Sequence, residues 1–570
     1  MVKRSLHEAV LTGVVLVLMF LGPAWAADPL EKVPESGRAA AVEKSLQPAP
    51  EMKVAPLPEI VIQEETDQPL QDSGVKFKIN DVKFDDNLIF SPEQLGVIVK
   101  GFIGTTIAVG DLKNVTGAVT AFYREKGYFL TRAYLPPQTI KDGIVAISVR
   151  EGRLGNIIIK GNKRYSRDLI RNTLKIIRGE GAIRTDDVER ALLLLMDNPG
   201  LTVKVTFKPG DRPGTSDIVL DATEAFPLTV QLDYDNFGSK FVSEHRAGLA
   251  LGINNPLGVG DALNLRGVMG ISPDSLTYGR AEYVLPLGYS GLRFGINYSY
   301  MKYNLGRDLA ELDAGGSSQG AGLWLSYPIV RSRSMNWFVE GGFDAKDVAQ
   351  SLFQQDIAKD KVRHAHIGTS LQWLDVIGGY NVISLKGYQS FAHILDGMDQ
   401  TYTDTIRLNT DVIYSKLEAS VTRIQSFPMN FSLLLTGSAL YTGNRLPSSE
   451  QFQAGGVGSV RGYSAGEFSG DSGIAGTAEL RIPILGPSLA QYVQLAGFYD
   501  CARLWVTNSL PGEKPIDGVS LQGAGLGLRL AFAPYFQMKL DWAMSAGGQE
   551  PHEKSDKSNG IWYAQAILAF

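Results

Sequence analysis

Cysteine, excess basic charge and long apolar runs are all scarce in this chain of 570 residues. Cys501 is its single cysteine, which excludes an intramolecular disulfide framework and a multi-cysteine metal site. Lys and Arg total 55 against 60 Asp and Glu, a net charge of −5, which argues against a nucleic-acid binder held by a basic surface. Mean hydropathy is −0.03, which excludes a bundle of membrane helices. With 44 % hydrophobic residues, the chain is expected to be ordered and to hold several domains.

The N-terminus has the pattern of a secretory signal peptide. Lys3 and Arg4 precede an apolar run of 13 residues, 9–21, and the run is followed by Ala24-Trp25-Ala26. The alternative is a membrane anchor, but a spanning helix needs about 20 apolar residues. We therefore predict a signal peptide over 1–26 and an exported mature protein without a membrane helix.

Residues 27–73 differ in composition from the chain that follows. They are polar and rich in proline, and 51–74 hold six acidic residues against Lys53. This composition predicts an extended, self-repelling linker. Just before it, residues 35–46 hold helix formers and could make three turns. A disordered tail is the alternative, and the sequence leaves both open.

Two α+β units are predicted over 74–152 and 153–225. The first has a strand at 75–84, a helix capped by Ser91, a helix at 111–126 ended by Gly127, and strands at 130–135 and 144–149. The second repeats this order with a strand at 157–159, a helix at 166–177, a helix capped by Thr185, and strands at 203–207 and 218–221. The repeat is one of element order and not of sequence identity.

From residue 226 to 570 the pattern becomes one of strands with period-2 alternation. Along 536–544, for example, Phe536, Met538 and Leu540 alternate with Gln537 and Lys539. Each strand therefore has one apolar and one polar face. A soluble sandwich would bury the apolar faces in a core, whereas a membrane barrel would turn them toward lipid.

Three observations favour lipid over a sandwich core. The polar faces carry many charges, as a wet lumen would. Six of the seven Trp and 18 of the 22 Tyr fall after residue 226, as in an aromatic girdle. The chain also ends in a strand with a terminal aromatic, Phe570. We predict a transmembrane antiparallel β-barrel of about 16 strands, wide enough for an aqueous channel.

The longest glycine-rich connection, 442–473, carries the motif Val460-Arg461-Gly462-Tyr463. Two strands later come Phe498 and Asp500, which share one strand face. Because a charge does not face lipid cheaply, that face should line the lumen. Arg461 and Asp500 are then candidates for one ion pair, since arginine accepts a carboxylate in a bidentate manner.

This order of elements resembles the two-partner secretion transporters, the TpsB family of haemolysin and filamentous-haemagglutinin exporters. The signal peptide, proline-rich linker, two α+β units, barrel, VRGY loop and F-x-D strand all match. The resemblance implies that the units are periplasmic POTRA domains and that the VRGY loop enters the lumen, where its Arg461 pairs with Asp500. It also implies that a short N-terminal helix plugs the resting pore.

The resemblance further implies a location, partners and an energy source. It implies a bacterial outer membrane location, contact with its lipid, insertion by the barrel-assembly machinery, and export of a large secreted β-helical protein captured by the POTRA domains. It implies no cofactor and no ATP, with energy from binding and folding of the partner. Two rivals remain open: an outer-membrane insertase, which typically has more POTRA domains, and a passive porin or receptor, which needs none.

Other signals are assigned to the barrel wall. Gly525-Leu526-Gly527 lies in a strand pattern without the Lys-Ser/Thr of a phosphate loop. His364 and His366 share a strand face but have no third ligand nearby in sequence, so they are predicted to line the lumen. Cys501 should face lipid because it follows Asp500. No nucleophile–base arrangement is evident, so the chain is not predicted to be an enzyme.

Overall fold

The computed structural model describes residues 34–46, 59–62, 76–177, 181–212, 214–272, 275–353, 355–486, 489–510, 518–552 and 559–570. The predicted signal peptide, 1–26, and most of the predicted linker lie outside the described residues. Within the described ranges, no helix combines the length and the apolar character needed to cross a membrane.

The N-terminal segment is a short helix and not a tail. A 3₁₀ turn at Glu35–Gly37 leads into helix α1, Ala39–Ser45. The helix has seven residues and therefore two turns, one fewer than the sequence suggested. One side of α1 is buried through Ala39, Val42 and Leu46. A second piece of the linker, Glu59–Ile62, forms strand β1.

The first α+β unit packs two helices on a small sheet. Its elements are β2 (Lys76–Lys78), β3 (Asp81–Asp85), α2 (Pro92–Val99), β4 (Thr106–Ala108), α3 (Leu112–Glu125), β5 (Arg132–Tyr134) and β6 (Ile144–Arg150). The predicted strand at 75–84 is two strands, because β2 pairs with β4 while β3 pairs with β6. Ser91 caps α2 as predicted, and Gly127 follows the end of α3 at φ +89°. The exposed edges of the three-stranded sheet are β3 and β5.

The second unit has the β-α-α-β-β order that β3, α2, α3, β5 and β6 have in the first. It contains β7 (Arg153–Lys160), α4 (Arg167–Thr173), α5 (Thr185–Met196), β8 (Leu201–Pro209) and β9 (Thr215–Glu224). The prediction that Thr185 caps its helix was wrong. Thr185 is the first helical residue, and its hydroxyl instead donates to the carbonyl oxygen of Gly127 (2.9 Å). The sheet order is β1-β8-β9-β7, so the linker strand covers one edge by pairing parallel with β8.

The remainder of the chain forms one closed antiparallel barrel of 16 strands, which confirms the predicted fold. The strands are Leu228–Asp235 (β10), His245–Asn254 (β11), Ala262–Ser272 (β12), Leu276–Pro286 (β13), Arg293–Asn304 (β14), Gly315–Arg331 (β15), Met335–Leu352 (β16), Gln355–Leu374 (β17), Gly379–Ser390 (β18), Ser415–Ser426 (β19), Ser432–Thr442 (β20), Ser472–Pro483 (β23), Val493–Trp505 (β24), Val519–Phe532 (β25), Phe536–Gly548 (β26) and Ile561–Ala569 (β27). A hairpin of β21 (Phe452–Ala454) and β22 (Phe468–Gly470) lies in the connection from β20 to β23. Pairing of β10 with β27 closes the barrel.

Helix α5 fixes the second unit to one mouth of the barrel. Arg331, at the end of β15, forms an ion pair with Asp197 just after α5 (Nη2–Oδ1 2.7 Å). Arg190 of α5 donates to the carbonyl oxygens of Pro328 (2.9 Å) and Ile329 (3.1 Å). The first barrel strand begins at this mouth and, after an even number of crossings, the last strand ends there. Both α+β units and the C-terminus therefore share one side of the membrane.

Candidate functional site in the barrel lumen

The loop between β20 and β23, residues 443–471, folds into the barrel interior. Its motif residues Val460, Arg461, Gly462 and Tyr463 are all buried. Val460 and Tyr463 have no exposed surface and pack in one cluster with the wall residues Leu504 and Leu521. The loop is thus packed against the wall, so specific contacts must hold its tip there.

The structure brings Arg461 and Asp500 together. The Arg461 side chain donates from Nε to Oδ2 (2.8 Å) and from Nη2 to Oδ1 (2.9 Å), a bidentate contact. The backbone N–H of Arg461 donates to the same carboxylate (3.0 Å). The two side chains are only 3 % and 1 % exposed, so water does little to weaken their attraction.

Three further charged residues complete the arrangement, and sequence reasoning did not assign them to it. Arg461 Nη1 also donates to Glu479 on β23 and to Asp541 on β26, both at 3.0 Å. Arg529 on β25 contacts Glu479 as well (2.8 Å). We call Arg461, Glu479, Asp500, Arg529 and Asp541 the lock cluster. Their positions on the polar faces of adjacent strands were the available signal, because facing residues on paired strands meet.

Phe498, on the same face of β24 as Asp500, packs its ring against the Arg461 guanidinium. The Cζ atom of Arg461 lies 3.3 Å from the centre of the Phe498 ring, a cation–π contact. Gly525 on β25 makes room for this ring, because a Cβ there would lie 2.4 Å from Phe498 Cζ. The wall is therefore shaped to hold one planar cation between an aromatic ring and carboxylates.

Gly462 and Tyr463 fix the loop backbone beside β26 and β27. Gly462 has φ +94°, and a Cβ there would lie 2.5 Å from the backbone carbon of Met544. The Tyr563 hydroxyl accepts the Gly462 N–H (3.0 Å) and donates to the Tyr463 carbonyl (2.7 Å). The Tyr463 hydroxyl donates to the carbonyl oxygen of Gln549 (2.8 Å). The four motif residues thus have separate contacts with the wall.

Helix α1 lies in the same lumen. The Tyr303 hydroxyl on β14 donates to the Gly37 carbonyl (2.8 Å), and Arg246 on β11 donates to the Ser45 carbonyl (3.2 Å). Ala39, Val42 and Leu46 pack with inward-facing side chains of β12, β13, β14, β16 and β17 in one apolar cluster. The helix is therefore held by the wall through side-chain contacts and is not part of it.

Glu450 of the lumen loop and Glu43 of helix α1 share one wall residue, Lys346. Lys346 on β16 contacts Glu450 in the loop (2.7 Å) and Glu43 in α1 (3.9 Å). Lys416 on β19 contacts the other oxygen of Glu450 (2.9 Å). Burial alone would raise the pKa of the Glu450 carboxyl, but these two ammonium groups hold that pKa well below its usual range. Glu450 is therefore a buried anion between two wall cations.

His364 and His366 face the lumen, as expected, and both contact one carboxylate of the neighbouring strand. Asp344 on the adjacent strand lies 2.9 Å from His366 and 3.3 Å from His364. Cross-strand pairing, which spacing along one strand does not show, brings it there. Within the described ranges, no group of three or more His, Cys, Asp or Glu side chains is arranged to hold a metal ion. Cys501 is exposed on the outer face, opposite Asp500.

Residues 214–530 match the family model of the haemolysin secretion/activation proteins ShlB/FhaC/HecB, and residues 77–152 match the ShlB-type POTRA domain. The chain belongs to this family. Among its relatives, the heme/hemopexin transporter protein HuxB of Haemophilus influenzae is 25 % identical over 480 residues, 82 % of this chain and 84 % of that one. The outer membrane transporter CdiB of Escherichia coli is 26 % identical over 394 residues, 66 % of this chain and 64 % of that one. A solved structure of Escherichia coli CdiB has the same fold, with a TM-score of 0.68 at 21 % identity, covering 89 % and 93 % of the two chains.

Membership of this family distinguishes between the transporter, the insertase and the porin or receptor that the sequence alone left open. The transporter is an outer-membrane protein of two-partner secretion, with its POTRA domains in the periplasm. The insertase and porin readings are set aside, because the family model describes secretion proteins. The barrel mouth that carries the second unit therefore faces the periplasm, and the lumen loop starts from the cell surface.

Proposed function

We propose that the transporter captures a large secreted partner with its POTRA domains and passes it through the barrel without ATP. The observation that supports this most directly is the filling of the lumen. Helix α1 and the lumen loop both lie inside the wall, and both are held by side-chain contacts that are reversible. Their displacement would open a continuous path through a barrel of 16 strands.

Helix α1 serves as the resting plug in this proposal. The hydrogen bond from Tyr303 to Gly37, in the turn before α1, contributes about 0.5–1.5 kcal/mol, and the one from the charged Arg246 to Ser45 about 1.5–3 kcal/mol. Burial of Ala39, Val42 and Leu46 adds an apolar contribution that a displacing chain can replace. A helix of two turns held in this way can leave and return, unlike a strand of the wall.

The POTRA sheets supply the capture surface. An extended segment can add a strand to a sheet edge and gain main-chain hydrogen bonds. Strands β3, β5 and β7 are edges of the two sheets, and the linker strand β1 covers the edge at β8. The partner class is a large secreted β-helical protein, and its folding at the cell surface would supply the energy for export.

The lock cluster positions the lumen loop, which in turn fixes the plug through Glu450 and Lys346. Residues Val460, Arg461, Gly462, Tyr463, Phe498 and Asp500 are the proposed functional residues. Their role is to hold the loop and not to carry out a reaction.

The test is export in a defined system without nucleotide. The full-length transporter is placed in liposomes, and the unfolded N-terminal part of a candidate secreted partner is supplied on the POTRA side. We expect the partner to become protected from added protease, and we expect an Arg461→Ala transporter to protect far less. Protection that depends on added ATP, or that is equal with empty liposomes, would contradict the proposal.

A further inference from the structure

The outer face of β12 to β16 carries an apolar groove of about 510 Å³. Ala321 and Ala345 form a shallow floor between the larger side chains of Tyr298, Leu323 and Phe343. Leu395, from the loop after β18, lies at one end of the groove. Tyr298 is 51 % and Leu323 47 % exposed, so this groove opens toward lipid and not toward the lumen.

Four cations lie on the same outer face: Arg363 beside the floor of the groove, and Lys302, Lys359 and Lys361 above it. Strand pairing places one row across the wall in the order Tyr298, Ala321, Ala345 and Arg363. The next row of outward-facing residues, closer to the loop end of the barrel, contains Asp347 and Lys361. The row beyond it contains Lys302, Ser317, Ala349 and Lys359. Neighbouring rows are about 7 Å apart, since a strand rises about 3.3 Å per residue.

The charge of this face is not balanced by its own carboxylates. Arg363 contacts Asp347 (2.8 Å), and Lys361 contacts Asp396 (2.6 Å). Lys359 shares Asp347 at 3.9 Å. Among the described residues, the four cations therefore have two carboxylates as ion-pair partners. The Asp396 side chain is 86 % exposed, which leaves Lys361 available to a stronger anion.

Arg363 joins the cations to the groove. Its Nε donates to the carbonyl oxygen of Leu395 (3.1 Å), so it holds the residue that ends the groove. Gly397 allows the loop to pass close, because a Cβ there would lie 2.7 Å from Arg363 Cγ. The basic residues and the apolar groove are thus one connected surface.

We propose that this surface binds a phosphorylated acyl glycolipid of the outer leaflet. The phosphates would contact Lys359, Lys361 and Lys302, and an acyl chain would fill the groove over Ala321 and Ala345. Basic residues at the membrane surface attract anionic headgroups, and the groove adds burial of acyl CH₂ groups. The charged rows lie at the loop end of the barrel, which is the side of the outer leaflet in a bacterial outer membrane.

The test is equilibrium binding of fluorescent diphosphoryl lipid A to the full-length protein in zwitterionic detergent. Lys359→Gln with Lys361→Gln should weaken binding about 25-fold, because each cation near an anionic surface contributes about a factor of five. Ala321→Phe should weaken it too, by filling the groove without changing the charge. Arg503→Gln is the matched control, since Arg503 is an exposed, outward-facing cation on β24, away from the groove.

Two competitors separate the possible sources of the phosphate. Inorganic pyrophosphate at millimolar concentration should not displace lipid A, and phosphatidylglycerol should displace it only weakly. Binding by the double lysine variant equal to wild type would overturn the proposal. Displacement by pyrophosphate together with an unaffected Ala321→Phe variant would identify a free-phosphate site, and displacement by phosphatidylglycerol as strong as by lipid A would identify a general anionic surface. Either result would overturn the glycolipid assignment.

Discussion

Arg461 and Asp500, 39 residues apart in the chain, are joined by three hydrogen bonds to one carboxylate. Two come from the guanidinium and one from the Arg461 backbone N–H. Within the lock cluster, Arg461 is the contact of Asp500, whereas Glu479 and Asp541 also contact Arg529. The pair therefore fixes both the side chain and the backbone of the loop tip, and removal of Arg461 leaves the buried Asp500 carboxylate without its contact in the lock cluster.

Arg461→Ala and Asp500→Ala should each keep the barrel assembled but strongly reduce secretion. Breaking a buried pair costs about 3–5 kcal/mol, here as lost docking of the loop. The double variant should be little worse than either single one, because each single variant already breaks the contact that docks the loop tip. Secretion and heat-modifiable gel mobility are the measurements, with Arg503→Ala on the same strand as control. Normal secretion by the singles, or losses that multiply in the double variant, would show that the pair is not the functional unit.

Gly462→Ala should reduce secretion, whereas Gly458→Ala in the same loop should not. Gly462 has φ +94° and would place a Cβ against the Met544 backbone, whereas a Cβ at Gly458 meets no atom within 4 Å. The strained variant should release the loop tip, detected as faster protease cleavage within 443–471 of the full-length protein. Equal cleavage and secretion of the two variants would argue against a role for this close approach.

Lys346→Met should make the plug leave the lumen more often. The substitution removes the cation shared by Glu43 and Glu450, so the two carboxylates lose their common partner. We expect a severalfold rise in open probability in planar bilayers, partly reversed by adding Glu43→Gln. Lys386→Met is the control, because Lys386 contacts Glu340 of the wall instead (2.5 Å). An unchanged open probability would show that this contact does not hold the plug.

Replacing residues 59–62 with glycine and serine should strengthen partner binding about tenfold. Strand β1 pairs with Lys204–Phe207 of β8, so a captured segment must compete with it for that edge. If only a fraction of the protein has this edge free, the apparent affinity for the partner is the intrinsic affinity multiplied by that fraction. Titration of the full-length transporter with the partner's N-terminal domain measures the change, and the same replacement at 67–70 controls for linker composition. Equal affinity would place capture at β3, β5 or β7.

Much of the barrel was readable from the sequence because a strand has a period of two. Along 228–235, alternation places Asp233 and Asp235 on one face and Leu232 and Tyr234 on the other, and in the structure both aspartates are buried while Leu232 and Tyr234 are exposed. Alternation is a local property, so it predicts each strand face without any knowledge of the neighbours. The strand count near 16 followed from the recurrence of such segments.

Alternation along one strand does not predict which residues face each other across two strands, or where a separate segment such as β1 or α1 binds. Asp344 beside His366, and Glu479 and Asp541 around Arg461, depend on which residues face each other across the ladder. The pairing of β1 with β8 joins residues that are about 145 positions apart, and the four-residue strand has no distinctive pattern of its own.

The sequence by itself determined the faces of the strands, the two α+β units, and the motif residues Arg461 and Asp500, because these depend on local periodicity and on residue chemistry. The tertiary structure alone decided that Arg461 is shared by three carboxylates, that α1 lies in the lumen, and that Lys346 connects Glu43 with Glu450. Barrel closure brings these groups together from distant parts of the chain. Their burial then makes each contact strong, because little water remains to screen the charges.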